Sequence, residues 1–157
     1  LAYFDRGPMD ANKLALGGFW SAYWYNGNIY GSEIGRGLDV LSLRPSEQLS
    51  QNEIDAAKLI QAERFNPQYQ TKLVWPASFS VSRAYLDQLG RNNGLSSSRA
   101  ASVATELDSA EKLQGKAQRA ALTKLAAQLD RDASGASDKA RVRALAASVR
   151  KLATAKS

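Results

Sequence analysis

The chain reads as an α+β protein: a short antiparallel β-meander, then an Ala-rich helical bundle. Three observations predict this. An Asn-Gly pair, Asn26-Gly27, stands between two aromatic, strand-forming runs. The last third of the chain repeats apolar residues at helical spacing. The charge is segregated to match: residues 1–94 carry 9 basic and 9 acidic side chains, net 0, whereas residues 95–157 carry 12 and 6, net +6. Such asymmetry marks two parts with different partners.

The strands come first. Phe19 to Tyr25 is rich in aromatic residues that suit a pleated surface, and Asn28 to Ile34 follows the Asn-Gly pair at once. A two-residue turn with both positions at φ > 0 favours Asn-Gly, so the spacing predicts a hairpin pairing Tyr25 with Asn28, Trp24 with Ile29 and Tyr23 with Tyr30. Trp24 and Ile29 then share one face, and Tyr23 and Tyr30 the other. Gly35-Arg36-Gly37 predicts the next turn and Leu38 to Leu43 a third strand, which Arg44-Pro45 ends. Leu1 to Phe4 reads as a fourth strand, entered in its middle, which implies sequence upstream. A meander of this size is marginal alone and needs something stacked on it.

The helices follow. Ser50-Gln51-Asn52-Glu53 is a capping box, opening a helix expected to run to about Arg64 and to stop at Asn66-Pro67. A second helix is expected from about Ser80 to Asn92, with Val81, Tyr85 and Leu89 four apart and Gly94 as its stop. Three more follow with short breaks. The first starts near Ser96, with Leu95 stapling to Ala100, and stops at Gly115. The second carries Leu122, Leu125, Ala126 and Leu129, and a polar loop spans Asp132 to Ser137. The third carries Val142, Leu145, Ala146, Val149, Leu152 and Ala153. This divides the chain into a sheet segment at 1–44, a linker with two helices at 45–94, and a basic three-helix bundle at 95–157.

Composition excludes several chemistries. The chain has neither Cys nor His. Cys nucleophiles, disulfides, Cys/His zinc sites and Ser-His-Asp triads are therefore absent. Neither Gly-x-Gly-x-x-Gly nor a P-loop occurs, so Gly17-Gly18 and Gly35-Arg36-Gly37 read as turns. Asp5, Asp10, Glu33 and Asp39 lack the spacing of a calcium loop and read as turn or surface groups. No apolar run approaches the ~20 residues of a membrane-spanning helix. No cofactor or metal is expected, and the chain is read as non-catalytic.

What remains are contact surfaces. Trp20, Trp24 and Tyr30 are candidate aromatic contacts, against the simpler role of packing between sheets. Arg141, Arg143, Arg150 and Lys151 are candidate cationic contacts, against the simpler role of a solvated helix face. Acidic residues are interleaved with the cations, and no aromatic residue follows Tyr85 to stack on a base, so nucleic acid is disfavoured.

The run Asn28 to Val40, with its Asn-Ile-Tyr strand, Gly turn and Gly-Leu-Asp-Val strand, resembles one repeat of the LVIVD-repeat family. The block from Tyr3-Phe4-Asp5-Arg6-Gly7-Pro8 through Tyr23-Trp24-Tyr25-Asn26-Gly27 to Gly37-Leu38-Asp39 resembles that family's last repeat. Leu38-Asp39-Val40-Leu41 departs from the literal motif, as terminal repeats do. The resemblance covers about the first 43 residues; the helical tail is similar to extensions on actinobacterial members. It implies a terminal β-propeller blade, incomplete alone, in a secreted or cell-surface bacterial protein. Its partners would be upstream blades or a partner chain, an anionic cell-wall polymer, or a second copy in a homo-oligomer. Two alternatives stay open: the closing segment of a propeller enzyme with its catalytic residues upstream, and a basic nucleic-acid-binding tail.

Overall fold

The computed structural model describes residues 3–69 and 71–155. It is an α+β chain of two compact units, residues 1–74 and 75–157.

The first unit holds a three-stranded antiparallel sheet in the order β1-β2-β3, with β1 at Phe19–Tyr25, β2 at Asn28–Glu33 and β3 at Gly37–Leu41. The hairpin register is the expected one: Tyr25 faces Asn28, Trp24 faces Ile29 and Tyr23 faces Tyr30. Asn26 and Gly27 both take positive φ, 48° and 92°, the geometry of a two-residue turn that follows strand twist. β3 extends the pairing through Ile29–Leu41, Tyr30–Val40 and Gly31–Asp39. The register slips between Phe19 and Ser21, which makes Trp20 the extra residue of a bulge.

The expected fourth strand is not found among the described residues. Leu1 and Ala2 lie outside them, and Tyr3 and Phe4 are irregular. Instead the segment before β1 is pinned by local polar contacts. Asp5 accepts from the Gly7 N–H at 2.7 Å, and Asp10 from those of Asn12 and Lys13. Arg6 pairs with Asp39 at 2.9 Å, and Arg36 donates to the carbonyls of Arg6 and Gly7. Side-chain bonds of this kind satisfy the backbone without a ladder. The Phe4 ring stands 6.4 Å from that of Phe19, whose edge lies over Gly31, where a Cβ would sit 2.3 Å from it.

Helix α1, Gln51–Lys58, starts on the expected box: the Ser50 hydroxyl accepts from the Glu53 N–H, and the Glu53 carboxylate accepts from the Ser50 N–H at 2.7 Å. It ends six residues earlier than its apolar pattern suggests. The reason is tertiary. Ala62 is taken by the hairpin turn, bonded at both backbone groups to Asn26, while the Tyr25 hydroxyl donates to the carbonyls of Ala62 and Glu63. A 3-10 turn follows at Pro67–Tyr69.

The second unit is a helical bundle. Its helices are α2 at Phe79–Arg91, α3 at Ser97–Glu111, α4 at Gly115–Asp132 and α5 at Lys139–Thr154. α2 packs on α3 and α5, α3 on α4, and α4 on α5, which closes a ring of four. One apolar core runs through all of them, with Leu89, Val103, Leu107, Leu122, Leu145 and Val149 at 0–1% exposure. α2, placed in a linker by sequence pattern, therefore supplies the fourth wall of the bundle. Ser78, Ser96 and Asp138 cap α2, α3 and α5 through their side chains. Gly115, expected as a stop for α3, opens α4 with φ at +56°.

Candidate partner-contact surfaces

In the first unit, strand alternation puts Tyr23, Tyr30 and Val40 on one face and Trp24, Ile29 and Leu41 on the other. The candidates Trp20, Trp24 and Tyr30 thus form no single platform. Trp24 and Tyr30 point to opposite faces and are half-buried; Tyr30 packs with Tyr25 at 6.1 Å between ring centres, and Tyr25 in turn with Phe65. Trp20, thrown out by the bulge, is 80% exposed. Leu38 and Val40 on β3 are also exposed, and β1 and β3 are both edge strands.

The four carboxylates weighed as cation ligands are engaged in turns and pairs. Glu33 is the one that is buried, at 4% exposure. It accepts from the Gly18 N–H at 2.6 Å and the Gly35 N–H at 2.9 Å. These backbone donors, Gly18 first, and the nearby Arg36 charge hold its carboxyl below the usual Glu range, against the opposing effect of burial. Glu33 is a clasp that ties the bend before β1 to the turn between β2 and β3. Among the described residues no three acidic side chains converge as a metal site would require.

In the second unit, the structure sorts the cations into engaged and open ones. Arg83 bridges to Asp108 and Glu111 at 2.7 and 2.6 Å, tying α2 to α3. Arg99 bridges to Glu106 and Asp132 at 2.7 Å each, tying α3 to α4. Of the expected contacts, Arg141 lies 3.7 Å from Asp138, Arg150 pairs with Asp130, and Lys151 Nζ donates to the Trp75 carbonyl at 3.4 Å. Arg143 alone of the four is exposed with neither ion pair nor hydrogen bond among the described residues.

The open cations cluster elsewhere, on α4. Lys116, Arg119 and Lys124 line a shallow trough with Ala120, Thr123 and Ala127, all exposed. The opposite side of α4 buries Leu122, Leu125, Ala126 and Leu129. Sequence pattern contains this signal: positions 116, 119, 120, 123, 124 and 127 step by three and four, on the face away from the leucines.

A small groove between α2 and α5 is lined by Trp75, Pro76, Val81, Tyr85, Ala147 and Lys151. Its inner wall includes Ser148, whose hydroxyl is already bonded to that of Ser82 at 2.9 Å. No helix among the described residues is long and apolar enough to cross a membrane. No family model matches the chain, and neither a curated protein nor a solved structure matches it significantly.

Proposed function

We propose that the chain is a non-catalytic binding module of a secreted or cell-envelope repeat protein. Its sheet belongs to the closing repeat of an LVIVD-type β-propeller, and its helical bundle contacts an anionic polymer of the cell wall. The observation that carries the second part is charge segregation between the compact units. Residues 1–74 hold 7 basic and 8 acidic side chains, net −1; residues 75–157 hold 14 and 7, net +7. A bundle at net +7 attracts polyanions over the screening length of its medium, independently of any sequence code. The first part draws on the resemblance over about the first 43 residues and on the two open edges of the sheet, whose exposed Trp20, Leu38 and Val40 suit contact with neighbouring strands.

The test is co-sedimentation of the full chain with cell walls that carry their anionic polymer and with the same walls stripped of it. Binding to the intact walls, lost on stripping and weakened by salt, is the expected result. Equal binding to both preparations would show that the polymer is not the ligand.

A further inference from the structure

Resting on the reading of the bundle as a polyanion contact, we propose that the outward face of α4 is the seat of that contact. We further infer that its ligand is a linear phosphate-bearing polymer without bases. The trough is built as a channel. At about 100° per residue, Arg119 and Lys124 stand on opposite flanks, about 140° apart, and Lys116 sits near the middle at one end. The floor between them is Ala120, Thr123 and Ala127. Eleven residues separate the ends, about 16 Å of helix at 1.5 Å per residue. The Thr123 hydroxyl donates to the Arg119 carbonyl at 2.8 Å, so the floor offers no further donor and the cations alone would bind.

Their state distinguishes these cations from most arginines in the bundle. Among the described residues, Lys116, Arg119 and Lys124 have no ion-pair partner, whereas Arg83, Arg99, Arg141 and Arg150 do. Lys116 and Arg119 are three residues apart on one face, a like-charge spacing that weakens an isolated helix by a few tenths of a kcal/mol. A bound anion relieves that repulsion.

The shape selects the class. The trough is shallow and open, which suits a chain lying along the helix better than a compact solute. A phosphodiester or polyphosphate chain projects charged oxygens to both sides of its backbone, so both cationic flanks engage it at once. The Arg119 fork matches phosphate geometry. No aromatic side chain lines the trough for a base to stack on.

The experiment uses the full chain and long-chain inorganic polyphosphate, with affinity measured over a salt series. Lys116→Gln, Arg119→Gln and Lys124→Gln are combined in one variant. A second variant removes the same charge elsewhere, through Lys112→Gln, Lys139→Gln and Arg143→Gln. All six positions are exposed, and unchanged helical circular dichroism checks that both variants fold. The α4 variant should bind at least about tenfold more weakly, with a salt slope smaller by about 2, as three lost phosphate contacts require. The second variant should change affinity far less. Equal weakening in both would mean that net charge alone binds, and would overturn the α4 assignment. Wild-type binding unaffected by the α4 changes would do the same while leaving the polyanion reading intact. A wild-type chain that does not bind polyphosphate would remove that reading as well. Tighter α4-dependent binding to poly-glutamate or to single-stranded DNA would overturn the ligand class.

Discussion

The side-chain amide of Asn26 pairs with both backbone groups of Ala62: Oδ1 accepts from the Ala62 N–H at 2.8 Å, and Nδ2 donates to the Ala62 carbonyl at 3.0 Å. One residue thus does two things. Its positive φ starts the hairpin turn, and its amide holds the chain that leaves α1 as a strand partner would. Asn26→Gly separates the roles, since Gly keeps the turn and loses the amide. Two partly buried hydrogen bonds at ~0.5–1.5 kcal/mol each predict a loss of about 1–3 kcal/mol. Amide exchange at Ala62 should accelerate while exchange along β2 is less affected. Unchanged exchange at Ala62 would show that the pair contributes nothing.

Gly27→Val should act differently, by damaging the turn itself. Gly27 has φ at +92°, and an added Cβ would lie 3.1 Å from Lys58 Cγ. A β-branched residue resists that backbone conformation, so the loss should be roughly 1 kcal/mol or more and should extend along β1 and β2. An unchanged melting temperature would contradict the role of this turn.

Acid should loosen the sheet unit through Glu33. Its folded carboxyl is held below the ordinary Glu value by the Gly18 and Gly35 N–H groups. A group with a lowered folded pKa stabilises the fold above its unfolded pKa, and that contribution fades as pH falls through the folded value. The contribution of Glu33 is therefore full at neutral pH and lost below the ordinary carboxylate range. In Glu33→Gln this part of the acid sensitivity should vanish, with lower stability at pH 7. Asp138, lowered by the Arg141 N–H and then the Asn92 amide, gives the bundle an acid response of the same sign. Melting curves of wild type, Glu33→Gln and Asp138→Asn from neutral to acid pH test this.

Ser82 and Ser148 join α2 to α5 by a hydroxyl–hydroxyl bond in the core, at 0% and 7% exposure. Ser82→Ala strands the Ser148 hydroxyl and should cost about 1–3 kcal/mol, whereas replacing both by Ala should cost less than the sum of the single changes. Strict additivity in the four-variant cycle would show that the bond carries no coupling.

How far the sequence led depended on whether a signal was local. The Asn26-Gly27 register, the Ser50–Glu53 box and the phase of α5 follow from spacing over a few residues, and all three are found. The end of α1 is set instead by Asn26, thirty-six positions upstream of Ala62, which no local pattern contains. Trp24 and Tyr30 were legible as opposite-face residues, but Trp20 was displaced by a bulge that composition does not mark. The engaged state of Arg150 needed Asp130 on another helix; the open state of Arg119 needed the absence of such a partner among the described residues.

The last prediction concerns where the bundle begins. Apolar periodicity after Leu95 suggests that residues 95–157 are self-sufficient, yet α2 contributes to the same core. Leu89 is fully buried there and Leu86 nearly so, Ser82 meets Ser148, and Arg83 reaches across to Asp108 and Glu111. Removing α2 would expose the sides of α3 and α5 that it covers. Loss of one buried Leu alone costs about 2–5 kcal/mol, comparable to the whole stability of many small bundles. A fragment of residues 75–157 should therefore be monomeric and helical and should melt cooperatively, with Leu145→Ala lowering its stability by about 2–5 kcal/mol. A fragment of residues 95–157 should lose much of its helicity or self-associate through the uncovered apolar faces of α3 and α5. Circular dichroism and sedimentation of the two fragments decide the matter. Equal stability of both would mean that α2 is a passenger on a three-helix bundle and that the Ser82 and Leu89 contacts are incidental.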